Sequence, residues 1–356
     1  ENPLPRGVVT SAVAVWIAVG VAFAVLRRED LRPVRALFTP AVVLSVLLLV
    51  LMVLRVDASE ATAVGDAKVQ LFLAANLVFL VGGIAVGAAG PGHFELFVRV
   101  ALGVATAGAL VLMWQLLSGT AQEQLPARFT LSPENDPISL GRANAAGLLL
   151  AVYVMVSRAS DVVRACAAAS IPLLAVGLFA SGSRGPLLAA AVGLVVFTAF
   201  GAPGIRARRG LAALTVSAVA AIALIPQLVP GTSVSRTLSL ITPSEGFDTN
   251  GRATWWELAY ETFADRPLLG IGTGGFAAFP VSAAYPHNLL LEVAAELGIG
   301  GLLLVVGFIV SVIIVLLQVW RPAEGDDRLK AAAVMGFFAA ALTNAMFSGA
   351  IANNHA

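Results

Sequence analysis

The chain of 356 residues is 58% hydrophobic and only 12% charged, with a mean hydropathy of +0.89. A soluble domain carries about 25% charged residues, so this composition excludes a water-soluble globule with a polar surface. The net charge of +1 gives no argument for a nucleic-acid partner, and the single cysteine, Cys166, excludes an internal disulfide or a thiolate metal cluster.

A bilayer core needs roughly 17 to 25 apolar residues per helix. Apolar runs of about that length occur at 8–26, 37–54, 70–89, 96–117, 143–157, 163–180, 186–201, 210–229, 289–319 and 331–352. Stretches such as AVVLSVLLLVLMVL (Ala41 to Leu54) show no alternation, which argues for helices and against a β-barrel. The expected fold is an all-α polytopic membrane protein with about ten transmembrane helices. Residues 1–229 hold spans one to eight, 230–287 form one long external loop, and 288–356 hold spans nine and ten. Val8 to Leu26 is long enough to span and lacks a signal-peptide cleavage site. The start at Glu1 and the abrupt stop at His355-Ala356 read as a slice of a longer protein. Cys166 lies in an apolar run and reads as a small buried hydrophobe.

The connecting segments set an orientation. The alternate set 27–36, 90–99, 158–164, 202–210 and 319–330 holds 13 of the 22 Lys and Arg residues, Arg158, Arg164 and Arg328 among them. The positive-inside rule makes this set cytoplasmic. Segments 55–69, 118–142, 181–185 and 230–287 then face the periplasm or exterior. The last is far longer than a connector, and loops of that length are usually functional. Within it, GRATWWELAYETFADRP (Gly251 to Pro267) reads as a short amphipathic helix on the outer leaflet. Trp255, Trp256, Tyr260 and Phe263 share one face and Glu257, Glu261 and Asp265 another. Asp248 or Asn250 would cap it, and Pro267 would stop it.

Ionisable residues at membrane depth are candidates for function. Arg184, between two apolar runs and beside glycines, can snorkel to headgroups or hold a phosphate bidentately. Arg252 opens the amphipathic helix, where guanidinium and helix dipole would act together on an anion. Its alternative is a plain surface arginine. His287, followed by Asn288, stands where water meets the next apolar run, and imidazole titrates near neutrality. Asn288, Glu292 and Glu296 recur every four residues and form one polar stripe. The glutamates can equally pair structurally with arginines or helix N–H groups. GIGTGG (Gly270 to Gly275) fits the dinucleotide-binding pattern by letter, but no βαβ unit surrounds it. It reads as a phosphate-binding nest or, more plainly, a flexible turn. The three histidines, His93, His287 and His355, lie on different segments, so no metal site is expected.

Three stretches together resemble the bacterial O-antigen ligase and polymerase family. They are SGSRGPLLAAAVGLVVF, GRATWWELAYETFADRPLLGIGTGGF and PHNLLLEVAAELGIGG. The family pattern falls on Ser183-Arg184-Gly185, on Arg252 and Trp256, on Pro267 to Phe276, and on His287-Asn288 with Glu296 and Gly298. SLGRANAAGLLLA resembles the family's asparagine-bearing helix start and adds Arg142 and Asn144 as candidates. The resemblance implies a multi-pass glycosyltransferase of the bacterial cytoplasmic membrane, usually of about twelve spans. Such an enzyme takes a glycan from an undecaprenyl-diphosphate carrier to an acceptor hydroxyl on a glycan, lipid or cell-wall polymer. Inversion at the anomeric carbon, no metal and no nucleotide sugar are expected. Arg184 and Arg252 would then bind the diphosphate and His287 would be the base. Arg142, Asn144, Trp256, Asn288, Glu292 and Glu296 would contact substrate or orient those three. The alternatives are a metal-dependent transferase using polyprenyl-phosphate sugars and a flippase for lipid-linked glycans. A flippase would show inverted repeats and broken helices near mid-membrane.

Overall fold

The computed structural model describes residues 39–77, 83, 91–125, 128–131, 136–201, 252–280 and 285–348. Among them are nine α-helices in chain order. They are α1 (Pro40–Leu54), α2 (Thr62–Leu71, continuing as a π-helical turn to Leu77), α3 (Pro91–Ser118), α4 (Pro137–Val156), α5 (Asp161–Ala180), α6 (Arg184–Phe200), α7 (Arg252–Asp265), α8 (Leu289–Trp320) and α9 (Gly325–Ser348). Five of these, α3, α4, α5, α8 and α9, are long and apolar enough to cross a membrane, and α1 and α6 are shorter apolar helices. The expected runs at 8–26 and 210–229, the loop segment 230–251 with Asp248 and Asn250, and most of 78–90 lie outside the described residues.

The chain divides into two compact units. In the first, α1 runs antiparallel to α8: Leu44 lies beside Gly307 and Leu51 beside Gly300. Its core joins Leu48 and Met52 of α1 to Phe72 and to Val293, Leu297 and Val305 of α8. A second cluster seats α7 on the start of α8, through Ala259, Phe276 and Ala295. Helix α8 is not continuous. It breaks at Gly298, whose backbone sits at φ 67°, ψ −160°, a region essentially confined to glycine.

In the second unit α4 is the central helix, buried along most of its length against α5 and α6. Small residues let helices approach closely here, as is usual in membranes. A Cβ at Gly193 of α6 would lie 2.8 Å from the Gly336 carbonyl of α9. The helix expected from residue 143 begins at Pro137. Proline suits a first helical position, and the Asp136 carboxylate accepts from the Ile138 N–H at 3.1 Å. A two-stranded antiparallel hairpin, β1 (Gln122–Leu125) with β2 (Arg128–Thr130), departs from the all-helical expectation. It satisfies backbone groups of the connection between α3 and α4, and Phe129 packs on Leu112, Leu140 and Ala180. Cys166 is exposed on α5 rather than buried. In a membrane helix an apolar position faces lipid as readily as protein, so hydropathy does not predict burial.

Candidate functional site

In the first unit, α7 and the segment 285–288 converge. The His287 ring lies 5.3 Å from the Trp255 ring and 4.3 Å from that of Tyr285, centroid to centroid. The indole N–H of Trp256 donates to the Pro286 carbonyl at 2.9 Å, which fastens the backbone immediately before the histidine. His287 adopts φ 55°, uncommon for a residue with a side chain and typical of constrained functional positions. Arg252 precedes Trp255 by three residues, so the two are neighbours on the helix surface. The guanidinium therefore starts from a backbone position one turn away from the ring that meets the imidazole. The two tryptophans of α7 engage residues 286 and 287. Asn288 caps α8, its side-chain oxygen accepting from the Leu291 N–H at 3.1 Å.

Behind this lies a buried charged cluster. Lys68 of α2 donates to Glu292 Oε1 at 2.5 Å and to Glu296 Oε1 at 2.7 Å. The carboxylates are 0% and 2% exposed, so the pair of acids four residues apart points into protein and meets a lysine, where the sequence offers arginines or helix N–H groups. Burial alone would push the Lys68 ammonium down. The charges of Glu292 and Glu296 outweigh that and hold it above the ordinary lysine value, so it stays a cation at neutral pH.

Glu296 also accepts from the Gly274 N–H at 2.9 Å and the Phe276 N–H at 3.4 Å. Gly270 to Gly275 is thus a pinned loop, not a flexible turn. Its Ile271 and Gly272 N–H groups donate to the Ala295 and Glu296 carbonyls, each at 2.9 Å. Thr273 donates through its backbone to Arg55 O and through its hydroxyl to Met52 O. Gly270, Gly272 and Gly274 all have positive φ, and a Cβ at any of them would sit 2.4–2.6 Å from neighbouring backbone. These glycines are required by close packing against α1, α2 and α8.

In the second unit, Arg184 is the first residue of α6. It follows a tight turn in which the Ser183 N–H donates to Ser181 Oγ at 3.3 Å and Gly182 has φ 57°. Ser181 and Ser183 are buried, and the turn packs on Gly141 of α4, which leaves no room for a Cβ beside Ser181 and Pro186. Arg142, next to that glycine, is buried, as is Asn144 one turn on, whose amide nitrogen donates to Leu140 O at 2.8 Å.

Sequence reasoning brings Arg252, Trp256, His287 and Asn288 to one place and misses Lys68 and Arg55. The available signal for Lys68 is its rarity, since Lys68 and Lys330 are the only lysines of the chain, and its position at the edge of an apolar run. Its partners lie more than 220 residues away, beyond any local pattern.

No curated protein matches this sequence significantly. Residues 169–306 match the family model described as O-Antigen ligase. That interval contains Arg184, Arg252, Trp256, His287, Asn288, Glu292 and Glu296, and it ends inside α8. Over this stretch the chain is similar to the O-antigen ligase family, and its described residues include helices able to span a membrane.

Proposed function

We propose that the protein transfers a glycan from an undecaprenyl-diphosphate carrier to an acceptor hydroxyl, on the outer side of the bacterial cytoplasmic membrane. The packing of the His287 imidazole against Trp255, one turn after Arg252 on α7, supports this reading. An anion-binding cation and a proton acceptor held by one helix are what such a transfer needs. The acceptor oxygen attacks the anomeric carbon, and the bond from that carbon to the diphosphate breaks with inversion. The electron pair leaves with undecaprenyl diphosphate, and the acceptor proton passes to the His287 imidazole. Arg252 stabilises charge growing on the leaving diphosphate. Arg184 is assigned to the same diphosphate by the family pattern. Arg142, Asn144 and Trp256 are assigned to the substrates or to holding the site's loops. Asn288, Glu292 and Glu296 act as positioning residues, with Lys68 added to them.

The test is transfer by purified protein supplied with a lipid-linked glycan and a panel of acceptors, read as a new glycosidic bond. A positioned base contributes roughly 10²–10⁴-fold, and an electrostatic donor on the order of 10²–10³-fold. His287→Ala, Arg252→Ala and Arg184→Ala should each fall by about those factors while eluting like the parent protein. Transfer at the parent rate in any one of them removes that residue from the mechanism.

A further inference from the structure

The sequence places Pro267-Leu268-Leu269 in the external loop, where the amphipathic helix stops, and Leu268 is 72% and Leu269 58% exposed. Two adjacent leucines displayed this way lie beside the apolar flank of α1 and α8. Leu54, which ends α1, is 72% exposed, and the next residue, Arg55, reaches the Leu269 carbonyl through its side chain. On α8, Ile299 bonds to Pro267, and Leu303, one turn further, is 63% exposed. The helix window containing Leu303 is among the most apolar of the chain and has little protein over it. The exposed leucines are thus continuous with a surface whose occupant is lipid hydrocarbon.

Part of the backbone around Leu268 is satisfied in a way that suits the same surroundings. Irregular backbone at membrane depth is tolerated only where its polar groups are satisfied. The Pro267 carbonyl accepts from the Ile299 N–H at 2.7 Å. The Leu269 and Gly270 carbonyls accept from Arg55 Nε and Nη2 at 3.2 and 3.3 Å. Proline has no N–H to satisfy, and the Gly270 N–H donates to Arg266 O at 3.0 Å. Gly298 makes the seating possible, since a Cβ there would lie 2.5 Å from the Leu268 carbonyl group. Arg266, exposed just before the proline, is placed to stay with headgroups while the leucines go deeper.

We propose that Pro267–Leu269 is a membrane-inserted knuckle whose leucines enter the acyl-chain region of the bilayer. It joins α7 to the pinned glycine loop, so it fixes one end of the helix that carries Arg252 and Trp255 to the lipid. This holds whether or not the protein transfers glycans.

The test uses the full chain with Cys166→Ala, reconstituted in phospholipid nanodiscs. Nitroxide labels go at Leu268→Cys and Leu269→Cys, with Val104→Cys as the lipid-facing control and Glu257→Cys as the aqueous one. Val104 and Glu257 are both exposed, on a candidate span and on the polar face of α7. Collision with oxygen, which concentrates in lipid, is compared with collision with a water-soluble nickel chelate. The knuckle labels should show an oxygen-to-nickel ratio several-fold above that of Glu257→Cys and close to that of Val104→Cys. A ratio matching Glu257→Cys overturns the proposal. So does protection from both reagents, which would place a second copy or another protein over the leucines. Both positions are at the surface, so either label reports if the other disturbs folding.

Discussion

Glu292 and Glu296 are fully buried acids that share one cation, and the consequences belong to single residues. Removing one partner of a buried ion pair typically costs about 3–5 kcal/mol, because the remaining charge has lost both water and its counter-ion. Lys68→Ala should therefore lower the melting temperature in detergent steeply. Lys68→Arg keeps the charge but replaces a compact ammonium by a planar fork, and should fall between. A melting temperature unchanged in Lys68→Ala would show that the cluster does not hold the unit together. Because Glu296 also holds the Gly274 and Phe276 N–H groups, the loss should spread to the glycine loop. The chemistry at this scale is half legible in the sequence. His287 and Arg252 stand out as polar groups beside apolar runs, and the acids as a stripe of period four. Their true partner does not, because a contact between residues 68 and 292 leaves no mark on local periodicity.

At the scale of elements, glycine positions decide how α8 receives the loop before it. Gly298 combines φ 67° and ψ −160° with direct backbone contact to Leu268. Gly300, two residues on, is helical and has only Leu51 Cδ2 at 3.9 Å near a built Cβ. Gly298→Ala should destabilise by at least about 1–3 kcal/mol from backbone strain alone, more with the clash. Gly300→Ala should be neutral or stabilise by up to about 1 kcal/mol, since it removes a glycine from a helix. Thermal unfolding of the two variants side by side checks this, and equal melting temperatures would mean the break at Gly298 is not required. Among the described residues hydropathy locates the seven apolar helices, because lipid demands apolar runs whatever the packing. It misses the break in α8, since a Gly-X-Gly-Gly run reads simply as apolar. It also misses the β1–β2 hairpin, whose seven residues are too few and too polar to register against apolar runs. Hydropathy starts α4 too late because Arg142 and the polar residues before it look like loop residues. Arg142 is buried all the same, and Asn144 packs against α5; Gly177 lies so close to it that a Cβ there would sit 2.5 Å from its amide oxygen.

For the whole molecule, the proposed activity needs Arg252 and His287 outside the cell, and that requirement rests on charge distribution. Arg158 and Arg164 flank the α4–α5 connection, where Arg158 pairs with Asp326 and Arg164 with Asp161. The connection between α3 and α4 lies at the opposite end of α4. Moving a basic segment across the membrane is disfavoured relative to retaining it on the cytoplasmic side. Ser118 and Ser160 mark the two ends and are both exposed, and the Ser160 side chain makes no cap to α5. In a Cys166→Ala background, a membrane-impermeant maleimide added to intact cells with an open outer layer should label Ser118→Cys at once. Ser160→Cys should react only after the membrane is permeabilised. The reverse pattern would put the basic connection outside and contradict the orientation on which an external active site depends. The knuckle proposal would survive that result, because insertion of Leu268 and Leu269 concerns depth in a leaflet and not which leaflet it is.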